Sequence, residues 1–154
     1  IRQQFAILEA YFCFLTYLGR LAHPKPFRLG KYLNETFKAQ EDKQGDNIAI
    51  LIAELLVYLV RNRGKFIDRV EAVKHYSYRH LKDKGTQRAK AFIRILCLLP
   101  RANFHPVALL RLAKSQIDYL NTHPIHLGES IAEETIPFED LLEMVLEQLG
   151  RKVA

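Results

Sequence analysis

The chain has no tryptophan, one methionine, two cysteines, six prolines and seven glycines among its 154 residues. So few cysteines exclude a disulfide-stapled miniprotein, and so little glycine and proline exclude a collagen-like or low-complexity chain. No apolar run reaches the roughly 20 residues that a membrane-spanning helix requires. The two richest stretches, Phe5 to Leu18 and Ile48 to Val60, are interrupted by Glu9 and Glu54. Sustained period-two alternation, the mark of a half-buried sheet, is missing as well. There is no glycine-rich phosphate loop, dinucleotide fingerprint, G-x-S-x-G elbow or H-E-x-x-H pair, so hydrolase and oxidoreductase readings lack their residues. A basic leader with a small-residue cleavage site is also lacking, which argues against a signal peptide.

What is present is apolar material and positive charge. Hydrophobic residues make up 49% of the chain, charged residues 26%, and the formal net charge is +6. That is enough apolar material for one folded domain, expected over residues 1–154. The opening at Ile1 rather than methionine suits a piece of a longer protein. Cys13 and Cys97 stand inside apolar stretches, which predicts two reduced core thiols and a cytoplasmic location.

Apolar residues recur at three- and four-residue spacing almost everywhere, so the fold is expected to be all-α with about six to seven helices. The first helix is predicted from Arg2 to Ala22, stopped by Pro24 and Pro26, which remove backbone donors. A second is expected over Phe27 to Ala39. Asp46 or Asn47 can cap the next, Ile48 to Asn62, whose apolar residues surround its axis and mark a centrally buried element. Lys65 to Asp83 follows, then a helix capped by Thr86 and running to Leu99 before Pro100. Pro106 opens another that ends near Asn121. The last, Pro137 to Leu149, has Glu139 and Asp140 in its first turn and Gly150 just past its end.

Three phenylalanines, Phe27, Phe66 and Phe104, are separated by 39 and 38 residues, each after an apolar helix and a short break. Six positions on stand Leu33, Ala72 and Leu110; ten positions on stand Phe37, Tyr76 and Lys114. In period and helix order this layout resembles the tetratricopeptide and related α-solenoid class, although the tetratricopeptide residue pattern is not met. The resemblance implies stacked antiparallel hairpins in a right-handed array, over 5–39, 47–83 and 86–121, with 137–150 as a terminal cap. The alternative is an irregular helical bundle.

Charge is distributed unevenly. From Arg61 to Arg94 there are 11 Lys/Arg against 3 Asp/Glu, whereas Glu129 to Glu147 holds 7 acidic residues and no basic one. The basic window interleaves aromatics in Lys74-His75-Tyr76-Ser77-Tyr78-Arg79-His80. The favoured reading is a non-catalytic module that binds a protein or peptide, or associates with itself. Arg61, Tyr76, Tyr78 and Arg79 are its candidate contacts, Tyr supplying area and Arg meeting a partner carboxylate. The alternative is nucleic-acid binding, with Arg61, Arg63, Lys74, Arg79, Lys82, Arg88 and Lys90 on phosphates and tyrosine on bases. The acidic C-terminal helix could instead lie against the basic helices.

A third reading, an enzyme, would need Glu9 and Glu54 to face one interior cavity as an acid/base pair. No cofactor and no metal are expected. His123 and His126 are separated by a proline that breaks the helix needed to align them, and Glu71 and His75 are four apart without further glutamates.

Overall fold

Gly19 decides where the first helix stops. In the computed structural model, which describes residues 2–20, 44–82, 84–125 and 134–153, α1 spans Arg2–Tyr17. Gly19 takes a left-handed φ of 75°. Its N–H then bonds Thr16 O at 3.0 Å and that of Arg20 bonds Leu15 O at 3.1 Å. This paired closure satisfies the last carbonyls of the helix. The prolines expected to end it at Ala22 therefore act too late. The expected helix Phe27 to Ala39 lies outside the described residues.

The other helices are α2 (Gln44–Arg61), α3 (Arg63–His80), α4 (Gln87–Leu98), α5 (Pro106–Leu112), α6 (Lys114–Thr122) and α7 (Phe138–Val153). A 3-10 turn, Lys84–Thr86, precedes α4. The seven helices, with no strand among the described residues, make an all-α fold. None of these helices is long and apolar enough to cross a membrane.

The chain divides into two units, Ile1–Phe66 and Ile67–Ala154. In the first, α1 packs along α2. α1 contributes Ile7, Ala10, Tyr11 and Phe14 to the interior. α2 is buried at every position from Ile48 to Val57, as its all-round apolar pattern predicts. Each of its Leu and Ile side chains gains about 1.5–3 kcal/mol on leaving water. The single non-helical residue Asn62 separates α2 from α3, and its Oδ1 accepts from Lys65 N at 3.2 Å.

In the second unit α4 is the central element, packed against α5, α6 and α7. It buries Ala89, Ala91, Phe92, Ile93, Ile95 and Leu96. α7 turns Phe138, Leu141, Leu142, Val145 and Leu149 inward at helical spacing, and Phe138 stacks on Phe92 with centroids 4.8 Å apart. α3 buries Val70, Val73 and Ser77 on one stripe.

α4 ends at Leu98, one residue from the expected Leu99; past Pro100, Ala102 N still bonds Leu98 O, and the chain reverses at Asn103 and Phe104, with φ of 52° and 56°. Three other features differ from expectation. Thr86 precedes α4 but makes no side-chain cap. The helix opened by Pro106 is interrupted at Ala113, whose ψ of 13° leaves the helical range although its N still bonds Leu109 O and its O still accepts from Ile117 N. α7 runs through Gly150, whose neighbourhood demands no left-handed turn, and ends at Val153.

Phe66 lies wholly buried in the first turn of α3, whereas Phe104 is half-buried in the turn before α5. Ala72 and Leu110, six positions on, are both exposed. Phe27 and Leu33 lie outside the described residues.

Candidate functional site

The basic window does not act as one surface, because its members meet different neighbours. Arg88, on the first turn of α4, is turned inward with its side chain only 13% exposed. Its Nε donates to Glu134 Oε1 at 2.7 Å, and its Nη2 to Glu139 Oε1 at 2.7 Å and Oε2 at 2.8 Å. Its Nη1 donates to the carbonyl oxygens of Leu120 at 2.9 Å and His123 at 2.5 Å, at the C-terminal end of α6. The guanidinium also lies 6.0 Å from the Phe138 ring centroid. Burial opposes its charge, but the bonds to Glu134 and Glu139 and their attraction outweigh it, leaving the pKa raised. Glu134 completes the junction by accepting from Phe138 N at 3.3 Å, on the first turn of α7.

Arg88 was a candidate phosphate contact. It is instead the clasp between α4 and the acidic C-terminal segment, with its donors committed to carboxylates and carbonyls. The suspected contact between acidic and basic windows therefore exists, at this residue.

Two other cations of α4 stay at the surface. The ring of Tyr78, 51% exposed on α3, lies 5.7 Å from Lys90 Nζ and 5.7 Å from Arg94 Cζ. Both distances suit attraction between a cation and an aromatic face. Among the described residues neither cation has an ion-pair partner. Tyr76 is half-buried and meets His80 with centroids 4.5 Å apart. Arg79 is exposed in the last turn of α3, where a cation complements the helix dipole. Lys82 is exposed and Lys74 half-buried. Arg61 and Arg63 belong to the first unit, where the Arg61 guanidinium lies 5.6 Å from the Tyr17 ring centroid.

Beside Lys90 and Arg94 a cleft of about 150 Å³ opens between α4 and α6. α4 supplies Gln87, Lys90 and Arg94, at i, i+3 and i+7 on one face; α6 supplies Ser115, Gln116 and Tyr119. Gln116 Oε1 is buried and has no hydrogen-bond partner among the described residues. Tyr119 is held by stacking on His123, with centroids 4.0 Å apart. Of the lining residues only Lys90 is a candidate contact from the sequence; Tyr78 stands beside the cleft through Lys90 and Arg94. The spacing Gln87, Lys90, Arg94 was visible as the polar stripe of an amphipathic helix. Nothing local marked Ser115, Gln116 or Tyr119.

The carboxylate pair considered for catalysis is not assembled. Glu9 is exposed on α1, while Glu54 is 2% exposed inside the first unit. Among the described residues no three His, Cys, Asp or Glu groups gather as a metal site. His126 lies outside them, and Glu71 and His75 are both exposed on α3. Neither cysteine is in a disulfide. Burial pushes the Cys97 thiol up to about 12, with Lys74 lowering and Glu71 raising it further. Cys13 is raised for the same reason, against Arg61. Both are poor nucleophiles at neutral pH.

Comparison with protein-family models, with curated proteins and with solved structures returns no match for this chain.

Proposed function

We propose that this chain is a non-catalytic helical interaction module, of the hairpin kind that tetratricopeptide-like arrays use, which binds a protein or peptide partner. The observation that carries this reading is the half-exposed Tyr78 ring flanked by Lys90 and Arg94. Tyrosine and arginine are among the residues most enriched at interface hot spots. Arg79 and Tyr76, on the same helix, extend the candidate surface. Two poorly ionising thiols outside any disulfide, Cys13 buried and Cys97 half-buried, suit a reducing cytoplasm.

The test is the double substitution Tyr78→Ala with Arg79→Ala. Capture of the partner, measured by affinity purification from the native cell, is expected to fall to background while far-UV circular dichroism stays unchanged. Capture that persists overturns the assignment of this surface.

Nucleic-acid binding is the second reading, favoured by the same tyrosine among cations. The commitment of Arg88 to carboxylates counts against it, as does the charge of the second unit. That unit has 13 Lys/Arg against 11 Asp/Glu, a net of only +2. Oligonucleotide retention that declines steeply with salt is what this reading requires.

A further inference from the structure

The cleft between α4 and α6 narrows the chemistry of a partner. It is small: about 150 Å³ is roughly half the lower limit for pockets that enclose drug-sized ligands or cofactors. A nucleotide does not fit, but a single acidic side chain does. Two kinds of polar residue line it. Lys90 and Arg94 offer donors and positive charge, and neither has an ion-pair partner among the described residues. Gln116 offers the opposite, a buried carbonyl oxygen that has no hydrogen-bond partner among the described residues. A buried acceptor left without a donor costs free energy, so a ligand that brings one is favoured.

The matching ligand must therefore present an anion and an N–H close together. A phosphodiester group presents only acceptors and leaves Gln116 unanswered. A peptide carrying Asp or Glu presents both, its carboxylate for Lys90 and Arg94 and its backbone N–H for Gln116. The same helix already handles this chemistry, since Arg88 binds the carboxylates of Glu134 and Glu139.

We propose that the α4–α6 cleft is a receptor for an acidic side chain on a peptide segment of a partner protein. In this site Lys90 and Arg94 hold the carboxylate, Gln116 accepts the segment's backbone N–H, and Tyr78 covers the outer face of the two cations. The assignment rests on the protein-partner reading above and adds the chemistry of that partner.

The experiment uses the full chain with an acetylated, amidated hexaglutamate peptide as probe. Hexaglutamine, inorganic phosphate and a single-stranded oligothymidine serve as competitors. Backbone amide spectra are expected to shift at Ser115, Gln116 and Tyr119 when hexaglutamate is added, and not with hexaglutamine. Lys90→Gln with Arg94→Gln is expected to weaken binding about tenfold or more, as loss of charge-assisted bonds implies. Gln116→Leu is expected to weaken it less, while leaving the response to salt unchanged. No shift at those three amides overturns the proposal, and so does displacement of the peptide from them by phosphate or oligothymidine. If that happens while Tyr78→Ala with Arg79→Ala still abolishes partner capture, only the cleft assignment fails. Capture that survives in that double variant rejects the wider reading instead.

Discussion

Arg88 and Arg94 stand six residues apart on one helix and have opposite fates. Arg88 faces inward, saturates its donors on two carboxylates and two carbonyls, and is 13% exposed. Arg94 is exposed and shares the Tyr78 ring with Lys90. A basic residue on an amphipathic helix thus either closes the fold or leaves charge for an outside ligand, depending on which face of α4 it occupies. Net charge by window cannot tell the two apart.

The contrast is most sharply tested by truncation. Arg88→Ala is expected to destabilise the chain by about 3–5 kcal/mol, because it leaves Glu134 buried beside no cation. Arg94→Ala is expected to change stability by no more than about 0.5 kcal/mol. Urea denaturation of the two variants checks this, and equal losses would erase the distinction.

The apolar side of the same junction comes next. Phe138→Leu removes the stack on Phe92 and leaves partial filling, for an expected loss of about 1–3 kcal/mol in the same measurement.

Cys97 probes the interior behind the basic face. Its folded pKa of about 12 exceeds its ordinary 9.0, so the folded state holds the proton more tightly. The stability linked to this thiol is complete below pH 9 and is lost as pH rises from 9 towards 12. Cys97→Val is expected to flatten that part of the alkaline stability profile. Alkylation of the native thiol at pH 8 is expected to be slow, and rapid after denaturation.

The smallest effect concerns the turn after α4. Asn103→Gly relieves a left-handed residue at φ 52° but loosens the unfolded chain. Its net effect on thermal stability is expected to stay within about 1 kcal/mol.

Much of the fold could be read in the sequence because α2, α4 and α7 have strong apolar periodicity and the element type follows from it. Boundaries were less legible. Gly19 closes α1 through its own dihedral freedom before the prolines are reached, whereas Gly150 sits in helix because nothing forces it out. No glycine or proline announces the break at Ala113. The site was legible only in part. Tyr78 and Lys90 carried a local signal, a tyrosine and a cation in a basic window. Arg88 carried the same signal and misled, since its partners Glu134 and Glu139 lie 46 and 51 residues away. Gln116 becomes interesting only once α6 is packed against α4.

The Arg88 guanidinium also ties His123 to Glu134, fastening both ends of the segment between them to one side chain. One substitution at Arg88 would therefore unfasten the end of α6 and the start of α7 from α4 together.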